Sequence, residues 1–234
     1  MIKKSILNLF GLNISRSVSP GFNFGNINFS LNGKNLSDQR AGEALKYALS
    51  TSPKSVLDVG SGGGFHARSF REKGAKVDCV DYGTSVYAKE ALNDGLRMLY
   101  GDFNEMFIDK KYDLVWASHV LEHQRNIGVF LEKLISCCVI GGIIIISVPS
   151  MHRKLLGGHL SLWSPGLLAY NVVLAGVDLS ESFFINGSSE ISLVFSPKKV
   201  PLPDGLTFDK GDIYKLESLL PPFIQEGSDQ FLIK

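Results

Sequence analysis

At 234 residues the chain has room for one complete α/β domain and not for two large ones. Its residues are 44% hydrophobic and 20% charged, the balance of a globular protein with a real core. With 24 basic residues against 23 acidic, and no Lys/Arg stripe interleaved with aromatics, the composition argues against nucleic acid as the main partner. Cys79, Cys137 and Cys138 sit inside apolar runs rather than at metal-ligand spacing, so they are expected to be reduced core residues of a cytoplasmic protein.

The chain opens with MIKKSILNLFGLNIS, two lysines ahead of a mildly apolar run. Asn8 and Asn13 interrupt the run and no A-x-A-like cleavage site follows, so a signal peptide is not expected. Val139 to Val148, the most apolar segment, is about half the ~18 residues of a membrane span, and no stable membrane insertion is expected. Residues 1–37, rich in Asn, Ser and Gly, read as a loop-rich arm or lid. From about Asp38 the stretch DQRAGEALKYALS puts Ala41, Leu45, Ala48 and Leu49 on one helical face and stops before Pro53.

Residues 38–196 then carry an α/β rhythm, with the apolar runs SVLDVG, AKVDCVD, YDLVWAS and GGIIIISVP separated by helical stretches. Such runs predict a parallel sheet covered on both faces. Ser164 and Pro165 supply a cap and a first-turn proline for GLLAYNVVLAG, which Gly176 ends. VDLSESFFI and EISLVF flank Asn186-Gly187-Ser188-Ser189 and predict a hairpin, so an antiparallel strand closes the sheet at one edge. Residues 197–234, with Pro197, Pro201, Pro203, Pro221 and Pro222, read as a tail over the surface.

Between Val56 and Phe70 a strand runs into Gly60-Ser61-Gly62-Gly63-Gly64 and on into a helix. Glycine permits positive φ, and a backbone without side chains can approach a ligand closely, as in the nucleotide sites of doubly wound folds. Asp81 ends the next strand, about 20 positions on, where ribose hydroxyls are read. The dinucleotide pattern G-x-G-x-x-G would need glycine at position 65, which is Phe65. That weakens the alternative of an NAD-dependent oxidoreductase.

The G-x-G-x-G spacing, with Asp58 two positions upstream, resembles the first motif of class I S-adenosylmethionine-dependent methyltransferases. The resemblance spreads over roughly residues 40–196 through Gly101-Asp102-Phe103, YDLVWASHVLEH, GGIIIISVP and the closing hairpin. It implies a doubly wound, Rossmann-like fold with a mostly parallel seven-stranded sheet. It also implies S-adenosylmethionine as cofactor, contacted by Asp58, Gly60, Gly62, Gly64, Asp81, Tyr82, Asp102, Phe103, Ser118 and His119. His66 is a further candidate for the cofactor's carboxylate end, and Glu122 is expected to be structural.

Methyl transfer is an in-line displacement, and a hydroxyl acceptor benefits from a base. His123, just past the fourth strand, is the candidate catalytic residue. His152, Arg153, His159 and Trp163 follow the fifth strand and mix flat faces with donors, as sites for sugars or anionic acceptors do; His152, His159 and Trp163 are the acceptor candidates. No Cys/His/Asp/Glu set has metal spacing, so no metal is expected. After the fourth strand there is no Asn/Asp-Pro-Pro-Tyr/Phe, the signature of enzymes that methylate planar amino groups. The expected function is methylation of a small molecule, at a hydroxyl of a sugar or glycan precursor in polysaccharide biosynthesis. A non-catalytic binding module of the same fold is the other alternative.

Overall fold

The computed structural model describes residues 30–31, 34–35, 40–84, 95–151, 156–186, 190–209, 211–222 and 224. Most of the arm, the Gly187–Ser189 turn, His152, Arg153 and the end of the tail therefore lie outside the described residues. A short antiparallel pair, β1 (Ser30–Leu31) and β2 (Lys34–Asn35), precedes helix α1 (Gly42–Ser50). The order then runs β3 (Ser55–Val59), α2 (Phe65–Glu72), β4 (Lys76–Asp81), β5 (Arg97–Tyr100), β6 (Tyr112–Ser118) and α3 (Ile127–Ser136). It continues with β7 (Cys138–Pro149), α4 (Pro165–Leu174), β8 (Phe183–Asn186), β9 (Glu190–Phe195) and α5 (Asp212–Leu216).

Strands β3 to β9 form one seven-stranded sheet in the order β5-β4-β3-β6-β7-β9-β8. From β5 to β7 all pairings are parallel, while β9 runs antiparallel to both β7 and β8. The antiparallel strand expected at the edge therefore lies one place in from it. Chain order reverses between β3 and β6: β4 and β5 extend the sheet on one side of β3, β6 and β7 on the other. The loops leaving the carboxyl ends of β3 and β6 diverge there and leave a crevice.

Both faces are covered, as the near-continuous apolar strands require. Phe130, Leu131 and Leu134 of α3 pack with Leu168, Ala169 and Val172 of α4 on one face. Ala44, Leu45 and Ala48 of α1 pack with Ala67 and Phe70 of α2 on the other. Helix α4 starts as its sequence requires: the Ser164 hydroxyl accepts from the Leu167 N–H at 3.2 Å and Pro165 fills the first turn. Gly176 follows in the left-handed region at φ 81°. All three cysteines are free and buried.

The Gly141-Gly142 pair, which heads the GGIIIISVP run, lies inside β7 rather than at its start. The strand starts at Cys138, and its pairing with β6 shifts register between Tyr112 and Leu114. A Cβ at Gly142 would stand 2.6 Å from Cys138 Sγ and 2.9 Å from the Asp113 carbonyl oxygen. Gly142→Ala is therefore expected to cost about 1–3 kcal/mol, seen as a lower urea midpoint with unchanged slope. An unshifted midpoint would show that the irregularity absorbs a methyl group freely.

Candidate active site

A cleft of about 770 Å³ opens at the carboxyl edge of the sheet, between the glycine loop and the segments that follow β4, β5 and β6. Its volume lies within the usual range for small-molecule sites. Gly60 leaves β3 at φ 74°, and a Cβ there would fall 2.7 Å from Val120 Cβ, so conformation and space both demand glycine. The next turns keep bare backbone along the wall through Gly63, and Gly64 caps α2.

Asp81 secures this loop. One carboxylate oxygen accepts from the Gly62 N–H and the other from the Gly83 N–H, each at 2.9 Å. Asp58 lies beneath at 1% exposure, outside the cleft lining, and its Oδ2 has no hydrogen-bond partner. Burial pushes the Asp58 carboxyl up to about 7, the Ala67 N–H works against that shift, and the nearby Asp81 charge adds to it. Asp58 thus faces helix α2, where the Ala67 N–H meets it, rather than lining the cleft.

On the far rim Tyr82 is 57% exposed. Asp102 accepts from the Asn104 N–H at 2.8 Å, which holds its turn. Phe103 is buried at the cleft floor, edge-on to Phe130 at 5.3 Å. Ser118, the last residue of β6, has a buried hydroxyl with no hydrogen-bond partner.

His119 follows with φ 55°, an uncommon conformation for a residue other than glycine. It aims its imidazole between two carboxylates: Nε2 is 3.0 Å from Glu190 Oε2 and Nδ1 is 3.3 Å from Glu122 Oε1. Burial alone would lower its pKa, but the two carboxylates outweigh burial and lift it to about 9. His119 is thus cationic at neutral pH with both nitrogens facing carboxylates. His123 differs. Its Nδ1 is 2.6 Å from the Gly158 carbonyl, which can only accept, so Nδ1 carries a proton and, in the neutral ring, the lone pair is on Nε2.

His66 lines the cleft too, neither exposed nor free to turn. Its Nδ1 accepts from Trp116 Nε1–H at 3.1 Å, so Nε2–H donates to the Arg40 carbonyl at 3.0 Å. Burial pushes its pKa down to about 4, and the imidazole stays neutral.

Of the acceptor candidates, His159 comes together with His123, their rings edge-to-face at 5.0 Å. Trp163 does not line the cleft: at 1% exposure it packs into the larger core and forms a bridge with Ser150, because the chain beyond β7 turns its indole inward. Sequence reasoning missed Glu190, Gln124 and Arg40, all now beside the cleft. Glu190 gets there because β9 is antiparallel, so the strand's first residue lies at the carboxyl edge of its parallel neighbours. An acid heading the apolar run EISLVF was the one available signal.

A reversed strand order, a bare left-handed loop at the switch point and acids at the ends of β3 and β4 define a class I S-adenosylmethionine-dependent methyltransferase. The donors fit that cofactor: Asp81 holds the loop and faces the cleft, while Ser118 leaves a buried hydroxyl unpartnered at its floor. The chain belongs to the methyltransferase domain family, whose model matches residues 35–170. This membership sets aside the NAD-dependent alternative.

The ubiquinone biosynthesis O-methyltransferase of Rickettsia akari (strain Hartford) is 33% identical over 105 residues, 42% of this chain and 41% of that protein. The enzyme of the same name from Nitrobacter winogradskyi is 25% identical over 157 residues, 61% of this chain and 60% of that protein. The chain thus spans less than two thirds of the length of these curated relatives. Among solved structures, Burkholderia thailandensis 1,6-didemethyltoxoflavin-N1-methyltransferase, with bound 1,6-didemethyltoxoflavin and S-adenosylhomocysteine, superposes with a TM-score of 0.57. It is 20% identical, over 70% of this chain and 80% of that one, a likeness of fold. Among the described residues no helix is long and apolar enough to cross a membrane.

Asp58 and His66 tilt stability in opposite directions. Asp58 binds a proton more readily folded than unfolded, so its contribution is present below about 4 and lost as pH rises through about 7. His66 binds one less readily, so its contribution is present above about 6.5 and lost as pH falls toward about 4. Relative to the wild type, Asp58→Asn should gain stability as pH rises across its window, and His66→Gln as pH falls across its own. Urea unfolding from pH 4 to 8 reads both; parallel curves would refute the buried-charge account.

Proposed function

We propose that this chain transfers a methyl group from S-adenosylmethionine to a hydroxyl of a small-molecule acceptor seated beside His123. Bound in the cleft, the cofactor would supply an electrophilic methyl on a sulfonium, which the acceptor oxygen takes in line as the thioether leaves. Asp81 receives the ribose hydroxyls, and Asp102 with Phe103 flanks the adenine. Gly60, Gly62 and Gly64 keep the loop close to the ligand, and Asp58 supports the start of α2 behind it. Tyr82, Ser118 and His119 close the remaining walls, and His119 acts through its charge rather than as a base.

The observation that carries this reading is the tautomer of His123. With Nδ1–H held by Gly158, the basic Nε2 is the lone pair available to an acceptor hydroxyl in the lining of the cleft. The relatives' names, O-methyltransferases of ubiquinone biosynthesis, favour oxygen as the acceptor atom. They lend nothing to a sugar or glycan precursor, the acceptor expected from the sequence, nor to polysaccharide biosynthesis. A phenolic hydroxyl, with an ordinary pKa of about 10, is therefore the first acceptor class to test.

Two variants separate cofactor binding from chemistry. Asp81→Ala should weaken S-adenosylhomocysteine binding at least ~10-fold by calorimetry, because a ribose hydroxyl loses a charged acceptor. Unchanged affinity would remove Asp81 from the cofactor. His123→Ala should lower turnover of a catechol or other phenol by ~100-fold to 10,000-fold with S-adenosylhomocysteine affinity kept. Equal losses in both would make His123 structural, and cofactor binding without product from any phenol or sugar would turn the reading toward a binding module.

A further inference from the structure

We propose that Glu122, His123 and His159 form a binding site for a divalent transition-metal cation at the acceptor end of the cleft. One ligand atom from each residue lies within 4.8 Å of the other two. Bonds of about 2.0–2.2 Å place two ligands of one ion roughly 3–4 Å apart, so sub-ångström to ångström side-chain shifts close the set. Residue spacing gave no hint of it, since His159 arrives from beyond β7 and only the fold brings it to Glu122.

Three further features prepare this site. Glu122 is 0% exposed, yet neither carboxylate oxygen accepts a hydrogen bond. A buried carboxylate so placed is costly unless a cation compensates it. The cationic His119, 3.3 Å from Oε1 and 3.0 Å from Glu190, offers one positive charge to two carboxylates, so the group keeps a net negative charge for a further cation. The second feature is His123, whose Nε2 lies 4.0 Å from Glu122 Oε1 with its lone pair free because Gly158 holds the opposite nitrogen. A carbonyl behind an imidazole is the usual outer support of a metal ligand. Third, the His159 loop is pinned to the first ligand: the Leu160 N–H donates to the Glu122 carbonyl at 2.7 Å.

Two imidazoles and one carboxylate suit Zn²⁺, Co²⁺, Mn²⁺ or Fe²⁺ better than Mg²⁺ or Ca²⁺, and three protein ligands leave positions open. His123 is the member of the set that lines the cleft, so an ion there borders the cleft on the His123 side. The role of the ion, though not its existence, rests on the hydroxyl-methylation reading. The cation binds the acceptor oxygen and favours its ionised form, the proton leaving to solvent water. That oxygen then forms the O–C bond as the S–C bond breaks and the thioether departs. With the ion bound, His123 Nε2 is its ligand, and the ion takes over from that nitrogen the task of favouring the ionised acceptor; without the ion, Nε2 keeps the base role proposed above.

The test titrates the full chain, stripped of metal, with Co²⁺ alone, following visible d–d absorption and calorimetric heat. One equivalent should bind with nitrogen-ligated absorption, Zn²⁺ should displace it, and Glu122→Gln and His159→Ala should each weaken binding at least ~10-fold. Neither absorption nor heat up to millimolar Co²⁺, or binding undiminished in both variants, would overturn the site. The thermal shift given by S-adenosylhomocysteine is read on the same samples. Its persistence in the variants shows that lost Co²⁺ binding is not unfolding; where a variant loses it, His159→Gln and His123→Gln decide by the same criterion. Its absence from the wild type would refute the methyltransferase reading while the Co²⁺ result still stands or falls alone.

Discussion

The close approach of Gly60 to Val120 governs the architecture of the cleft. No other residue type leaves room there, because a Cβ would overlap Val120 and the backbone is left-handed. This contact joins the loop that leaves β3 to the segment that leaves β6, the two strands between which chain order reverses. The cofactor side and the histidine side of the cleft therefore meet where the Gly60 backbone lies against the Val120 side chain, just beyond the direct pairing of β3 with β6. Asp81 completes the arrangement by accepting from both Gly62 and Gly83, which fixes the far side of the same loop to the end of β4.

Around that frame the ionisable groups are sorted by environment. His66 is neutral because its two nitrogens already serve Trp116 and Arg40 in a buried setting. His119 is charged because two carboxylates flank it. His123, turned by the Gly158 carbonyl, keeps one nitrogen for chemistry. Three imidazoles of one sequence type thus acquire three roles, and the difference lies in partners contributed by distant strands and loops.

This explains what sequence reasoning reached and what it did not. Asp81 was reached by its spacing from the loop and β5 carried no apolar run, but six of the seven strands, the glycine loop and the Ser164-Pro165 start of α4 depend on short-range signals: apolar runs, glycine and a capping hydroxyl. They were legible because each is set within a few residues. Trp163 was misjudged because an aromatic in a polar link carries no sign of which way it faces, and here it is core. Gly141-Gly142 reads as a turn in sequence, yet the crowding by Cys138 and Asp113 that demands glycine is a property of strand pairing. Glu190 and the meeting of Glu122 with His159 were beyond reach, since both depend on long-range topology.

The antiparallel strand β9 shows how topology alone can create chemistry. Its place beside β7 is secured by the Ser147–Ser192 hydroxyl pair, 2.7 Å apart in the core, and by a ladder of apolar residues on either side. Reversing the strand brings its amino end, Glu190, to the edge where the parallel strands end. Without that carboxylate, His119 would face Glu122 alone, and burial would be opposed by one anion instead of two. The charge on His119, and through it the electrostatic setting of Glu122 beside His123, therefore derives from the direction of a strand 71 residues further along the chain.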